Sequence, residues 1–239
     1  MTPACQNGTL QTDQFVNQST LGVLNAGAMS YRVILAKILP RRFEADFLDG
    51  NLYLNTNAYF GSIDHTDSVR FDPHDGVDAS RQVSKVEIQD GTGEWIPLPV
   101  VGPVTMRSAN AAGLNILCMY TISDRPGDSF DPRNLAFGER AVVIDDLAEF
   151  IRRIKNAASQ AKKQVAYRPI EYVERATYDG AMGPFRKYTE HFYQNEFRFV
   201  FSNGPGEVCR LPIGDIRDIA HSISTEDIPV LWKEMLLVD

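Results

Sequence analysis

The spacing of apolar positions changes several times along the chain, and each change marks an element. Residues 31–39 (YRVILAKIL) are a β-branched and aliphatic run of strand length. Pro40 opens the next stretch, Phe43 and Phe47 stand four residues apart, and Gly50 offers a stop, so residues 40–50 predict a helix. Residues 51–60 (NLYLNTNAYF) alternate as a half-buried strand does, which completes a strand–helix–strand opening. Residues 61–80 are polar and turn-rich and predict a surface loop. VSKVEIQD (83–90) and EWIPLPV (94–100) flank Gly91-Thr92-Gly93 and predict a hairpin. The uninterrupted apolar run LNILCMYTI (114–122) predicts a central strand buried on both faces.

RAVVI (140–144) followed by DDLAEFIRRIKNAASQAKK (145–163) is the clearest unit. Leu147, Phe150, Ile151 and Ile154 share one helical face, with Asp145 and Asp146 at the start and Lys162 and Lys163 at the end, as the helix dipole favours. QVAYRPIEYV (164–173) predicts a further strand, and HFYQNEFRFVF (191–201) is the strongest strand signal, with VCRLPI (208–213) as its expected pairing partner. A terminal helix is expected from Thr225 to Leu237. Strands and helices mix without strict βαβ alternation, which predicts an α+β fold: a mixed, largely antiparallel sheet with flanking helices. Residues 1–28 are rich in Gln, Asn, Thr and Gly and predict a weakly ordered polar extension, leaving 29–239 as a single domain.

Composition narrows the class. A net charge of −7 argues against a dedicated nucleic-acid binder, because phosphate affinity comes from clustered Lys and Arg. Three widely spaced cysteines, Cys5, Cys118 and Cys209, form no CxxC pair, which fits a reducing compartment and excludes a disulfide framework or a cysteine zinc site. The first residues lack a basic start followed by an apolar run, and no apolar stretch approaches the ~20 residues needed to span a bilayer. A cytoplasmic protein without membrane contact is the expectation.

Candidate chemistry concentrates on the late strand. If 191–201 alternates throughout, Tyr193, Phe197, Phe199 and Phe201 face a core while Gln194, Glu196 and Arg198 line the other face. A Glu beside a Gln can hold a ribose hydroxyl and stabilise positive charge developing at an anomeric carbon. Arg198 can neutralise Glu196 or grip a phosphate or carboxylate. A solvent-facing polar row is the commoner arrangement on an antiparallel sheet. A second cluster is the acidic loop 64–78, with Asp64, His65, Asp67, Asp72, His74, Asp75 and Asp78. These are ligand types for Mg²⁺, Mn²⁺ or Zn²⁺, yet their spacing matches no ligand motif, and Asp also concentrates in ordinary turns. Arg70 is expected to pair with Asp72 or Asp75 and pin the loop. Neither a P-loop nor a GxGxxG follows any strand, and His191 and His221 show no triad spacing.

The order of several short motifs resembles a family of uncharacterised bacterial and phage proteins from about residue 31 to 220: DFLDGNLYLNTNAYF, then R-x-D-x-x-[DE]-G as Arg70, Asp72, Asp75 and Gly76, then LCMYTI, RAVVID, VAYRPIEYV, FRKYTEHFYQNEFRF and GDIRDI. That family implies no particular activity. The chain also resembles ADP-ribosyltransferases in having Arg32 on an early strand, Tyr53-Leu54-Asn55-Thr56 on the next, and Gln194-Asn195-Glu196 late. That resemblance implies NAD as cofactor, with Arg32 on its phosphates, Asn55 or Thr56 of the Tyr53–Thr56 stretch supporting the nicotinamide pocket, and Glu196 catalytic; Gln194 beside Glu196, and Arg198 as a cofactor contact, are the candidates the late strand itself adds. Three functions are thus expected in competition. One is an NAD-using transferase of bacterial or phage conflict, another a non-catalytic factor binding a nucleotide or a protein partner, and the third a metal-dependent hydrolase using the acidic loop.

Overall fold

The computed structural model describes residues 22–26, 29–56, 59, 69–108, 113–202 and 206–237. Its strands are β1 (Gly22–Ala26), β2 (Met29–Leu39), β3 (Asn51–Thr56), β4 (Ala79–Arg81), β5 (Val86–Gln89), β6 (Trp95–Leu98), β7 (Val104–Met106), β8 (Asn115–Ser123), β9 (Arg140–Ile144), β10 (Val165–Pro169), β11 (Glu171–Val173), β12 (Gly180–Ala181), β13 (Arg186–Tyr188), β14 (Glu196–Phe201), β15 (Cys209–Pro212) and β16 (Ala220–Ser224). The α-helices are α1 (Glu44–Leu48), α2 (Leu147–Gln160) and α3 (Ile228–Leu237). The class is α+β, and the main sheet runs β10-β14-β8-β2-β9-β16 with every one of these pairs antiparallel.

The sheet's two faces follow from alternation. On one face Phe197, Phe199 and Phe201 join Leu117, Met119, Val33, Leu35, Val142 and Ile144 beneath Leu147, Phe150 and Ile154 of α2. That helix starts as its sequence predicts, with the Asp146 carboxylate accepting from the Glu149 amide. On the opposite face Ala36, Tyr120, Ile122, Ala141 and Val143 lie under Ile228 and Trp232 of α3. The same face carries Ile116 and Val200 against Phe185. Between these two apolar clusters the face presents Glu196 and Arg198. The central strand β8 is buried along almost its whole length, as its apolar run requires.

Several expectations are corrected. Residues 22–26, inside the polar stretch 1–28, form β1 on β2, while 1–21 lie outside the described residues. The early helix is reduced to a 3-10 turn at Arg41–Phe43 and the single turn of α1. Ala79 and Ser80 belong to a strand rather than a loop. QVAYRPIEYV breaks at Ile170, whose amide donates to the Glu196 carbonyl (2.8 Å), giving β10 and β11. Residues 189–194 form a 3-10 turn, so β14 begins only at Glu196. VCRLPI pairs with β3, not with the late strand.

Two of the motifs meet at one tight contact. Gly50 (φ 78°) ends the α1 turn, and Ile213 donates to its carbonyl (2.9 Å). A Cβ added at Gly50 would stand 1.8 Å from the Gly214 carbonyl oxygen, so DG of the first motif and GD of the last approach backbone to backbone. Gly93, at the hairpin tip, has a similar φ of 91° but only the Gln89 side chain nearby. Gly50→Ala is therefore expected to cost about 3 kcal/mol or more, from a left-handed residue plus overpacking, and Gly93→Ala about 1 kcal/mol. Urea unfolding of the two variants measures the difference.

Candidate functional site: a buried ion network at the root of an exposed arm

The late strand carries its chemistry inward. Asn195 adopts the left-handed conformation (φ 38°, ψ 58°), which Asn tolerates better than most residues. Its side-chain amide donates to the Thr121 carbonyl (2.8 Å), and Thr121 donates back to the Asn195 carbonyl (2.8 Å). This reversal ends the 3-10 turn and brings Gln194 and Glu196 into one buried cluster of polar groups. Arg198, wholly buried, is at its centre.

All five guanidinium N–H groups of Arg198 meet acceptors. Nη1 donates to Asp75 Oδ1 (2.8 Å) and the Pro184 carbonyl (3.0 Å), and Nη2 to Asp75 Oδ2 (2.7 Å) and Glu196 Oε2 (3.1 Å). Nε donates to Glu196 Oε1 (3.1 Å). Lys187 of β13 adds a second buried cation, its Nζ lying 2.6 Å from Gln194 Oε1, 3.0 Å from Glu196 and 3.3 Å from Asp75. Gln194 in turn donates to the Val69 carbonyl (3.0 Å), tying the start of the acidic loop to the turn. Asp72 lies 3.8 Å from Lys187 and 3.5 Å from His191 Nε2. Tyr172 receives the Glu196 backbone N–H (3.1 Å).

Ionisation follows from these contacts. Burial alone would raise the Glu196 carboxyl, but Arg198 and Lys187 outweigh it and hold the group down at about 2. Asp75 is likewise held well below the usual carboxylate range by Arg198 and Lys187, against the effect of burial. Lys187 is pushed up by Asp75 and Glu196 despite burial that would lower it. The Cys118 thiol, opposite Arg198 in the sheet, is raised to about 12 by burial and the Glu196 charge, which makes it inert as a nucleophile. His191 is lowered by burial. Lys37 is also lowered by burial; its Nζ donates to the Cys118 carbonyl (2.7 Å), just past the last β2–β8 pair.

The structure brings some of the sequence-selected residues together and separates others. Gln194, Glu196 and Arg198 share the network with Asp72 and Asp75. Glu196 is 8% exposed and both its oxygens are in ion pairs, rather than lining a cleft or facing solvent. Arg32 binds Asp124 through its backbone N–H and its Nε, both at 2.8 Å. Ala36, Tyr120 and Glu196 stand in one row across the sheet, so Arg32 lies two strands away and roughly 13 Å further along. Asn55 and Thr56 pair with Ile116 and Asn115 toward the other end of β8. The Asn55 side chain accepts from Thr56 N (2.9 Å), Thr56 Oγ1 accepts from Tyr59 N (3.1 Å), and half-exposed Tyr53 lies under the Arg210 guanidinium. Arg70 donates to the Phe137 carbonyl (3.0 Å), while the grip on Asp75 comes from Arg198.

Asp64, His65 and Asp67 lie outside the described residues. Among the described residues, no three His, Cys, Asp or Glu side chains gather as a metal-ligand set. The sequence reading missed Lys187, His191 and Tyr172 as members of the network. Lys187 stands inside one of the recognised motifs, FRKYTEHFYQNEFRF, which was the one available signal.

Directly after Asp75 the chain becomes the root of an arm. Val77 packs with Val173, Met182 and Tyr188. The next residues form β4, which pairs with β7 (Ala79↔Met106, Arg81↔Val104) and with β12. Tyr188, adjacent to Lys187, donates to Ser80 Oγ (2.8 Å). Arg81 and the Gln82 amide both bind the Asp179 carboxylate (2.7 and 2.9 Å). Beyond this anchor residues 82–85 and 99–103, the latter including Pro99 and Pro103, lie outside any ladder, and β5 and β6 pair as a separate two-stranded sheet. Asp90 closes the tip by accepting from Thr92 N, Thr92 Oγ1 and Glu94 N (2.8, 2.7 and 2.9 Å). The register puts Val86, Ile88, Ile96 and Leu98 on one face of the arm and Glu87, Gln89, Trp95 and Pro97 on the other. Ile88, Ile96 and Leu98 are 48, 43 and 40% exposed, and Val101, outside the ladder, is 94% exposed.

No protein-family model matches the chain, and no curated protein or solved structure matches it either. No helix among the described residues is long and apolar enough to cross a membrane.

Two outcomes are expected from the network. Arg198→Met leaves two buried carboxylates short of their main partner and costs about 3–5 kcal/mol in urea unfolding; Arg198→Lys, which lacks the planar fork, recovers only part of it. Because Asp75 and Glu196 titrate below their unfolded values, the folded chain binds fewer protons than the unfolded one in acid. Their contribution is complete above about pH 4.5 and is lost as pH falls toward about 2. Glu196→Gln lowers stability at pH 7 and flattens that acid slope, as melting temperatures across pH 2–7 test.

Proposed function

We propose that this chain is a non-catalytic binding protein that engages a protein partner through the aliphatic face of the arm, and that the buried ion network is the anchor of the arm's root. The observation that carries this is the face itself. Val86, Ile88, Ile96 and Leu98 form an uncharged two-by-two patch on a hairpin that pairs with no other described strand. An isolated two-stranded sheet is marginally stable in water, and contiguous exposed apolar surface marks interaction sites.

The state of Glu196 supports binding over turnover. Here Glu196 is buried, and Arg198 and Lys187 pair with its carboxylate, so its charge is already neutralised away from solvent. The residues that would hold NAD stand toward opposite ends of β8, Arg32 near Asp124 and Asn55 beside Ile116.

The expected results are that the purified chain consumes no NAD⁺, and that Ile96→Lys abolishes capture of the partner while shifting the melting temperature by less than about 3 °C, as suits an exposed position. Turnover of NAD⁺ that disappears in Glu196→Gln would overturn the proposal in favour of an ADP-ribosyltransferase. Capture unaffected by Ile96→Lys would remove the arm from the interface.

A further inference from the structure

We infer that His191 is a proton-sensitive latch at the root of the arm: with a neutral ring the turn 189–194 closes on the loop 69–75, and protonation of the ring opens it. This device belongs to the root and operates whatever the arm binds.

One short turn ties the start of the loop to the late strand. The Gln194 amide and the Tyr193 hydroxyl both donate to the Val69 carbonyl (3.0 and 2.9 Å), and Gln194 Oε1 accepts from Lys187 (2.6 Å). Asn134 holds the other side of the turn by donating to the Tyr193 carbonyl (2.7 Å). His191 lies in the same turn with its side chain only 16% exposed. Its Nε2 stands 3.5 Å from Asp72 Oδ1, and its Nδ1 is enclosed with no hydrogen-bond partner among the described residues.

The two protonation states make different demands on this place. In the neutral ring, Nε2–H points to Asp72 and Nδ1 is left as an unmet acceptor. An imidazolium carries a second N–H at Nδ1, and a charged donor buried without an acceptor costs more than a neutral acceptor left unmet. Asp72 has little left to offer in compensation. Its Oδ1 already accepts from the His74 amide (3.0 Å), and its Oδ2 lies 3.8 Å from Lys187.

The charges around the ring pull both ways. Asp72 and Asp75 of the loop and Glu190 of the turn favour protonation, whereas Lys187 of β13 and a charged His74 on the loop oppose it. Burial decides the balance and holds His191 below the ordinary histidine value. His74, packed edge-on against Tyr188, is lowered as well, by burial and then by Arg175.

Opening the turn returns the ring to water, where it titrates near about 6.5. The closed ring titrates lower, so in weak acid the closed turn binds fewer protons than the open one. Closure therefore has its full advantage above about pH 6.5 and loses it as pH falls, by up to about tenfold in the closed-to-open ratio per pH unit. Asp75 and Glu196 lose their own contribution only below about pH 4.5, so the two effects occupy separate windows.

The test is amide hydrogen exchange of the full chain between about pH 7.5 and about pH 5, expressed as protection factors, beside an NMR titration of the imidazoles. The His191 ring is expected to titrate below about 6.5. Protection of the amides in 190–195 and 70–75 is expected to fall by up to about tenfold per pH unit below that value, while β14 amides from Phe197 to Phe201 keep theirs. His191→Gln is expected to abolish the pH dependence, and His74→Gln to retain it. Protection that stays level across this range in the native chain overturns the inference, as does a His191 midpoint at or above about 6.5 or a pH dependence that survives His191→Gln. The first two readings use the native chain, so they decide the matter even if the variant fails to fold. Partner capture is not read at any step, which keeps the result independent of the binding function proposed above.

Discussion

The structure depends on how one buried guanidinium is satisfied. Arg198 is fully removed from solvent, and an ion in that position costs several kcal/mol unless every donor finds an acceptor. Five donors meet five acceptors here, supplied by Asp75, Glu196 and the Pro184 carbonyl, each from a different part of the chain. Burying the charge is therefore possible only when the acidic loop, the late strand and the turn before β13 are all in place. Lys187 repeats the constraint with a second cation on the same carboxylates. The arrangement acts as a register pin, since moving any contributor leaves a charge unpaired in a buried site.

One strand serves two opposed purposes. Along β14, Phe197, Phe199 and Phe201 enter the apolar layer beneath α2, while Glu196 and Arg198 enter the polar network on the other face. Nothing in this strand faces water, which is why its residues are buried without exception. The aromatic face supplies hydrophobic stabilisation that has no direction, and the polar face supplies direction at little net gain in stability.

Much of the architecture was legible from period alone. The strand at 31–39, the doubly buried strand at 114–122, the amphipathic α2 and the hairpin 83–100 all follow from local pattern, because burial on one or both faces writes itself into neighbouring residues. The candidate site was legible as two separate motifs and not as one site. Asp75 and Arg198 are separated by 123 positions, and nothing local distinguishes a polar row that faces water from one that meets a buried counter-ion. The extension of the late strand back through Gln194 failed at Asn195, where a single left-handed residue turns the chain and alternation ceases to apply. The pairing of β15 with β3 instead of β14 is a matter of topology, which strand propensity does not encode. Alternation identified the arm as a hairpin, but whether a second layer covers an aliphatic face is decided by the rest of the fold.

The network and the arm explain each other. An element that presents an apolar face to a partner cannot use that face to hold itself in place, so its orientation has to come from its root. A hydrophobic root would supply stability but little directional constraint, and would add apolar surface beside a patch that already exposes much of it. Directional bonds to buried charges fix the loop 70–78 at one angle, and that angle passes through Val77 and the Tyr188–Ser80 hydrogen bond into β4. The unpaired segments 82–85 and 99–103 then connect this base to the outer hairpin. In this arrangement the charged residues of the network are enclosed and withdrawn from chemistry, while the aliphatic residues of the arm are exposed and available for contact.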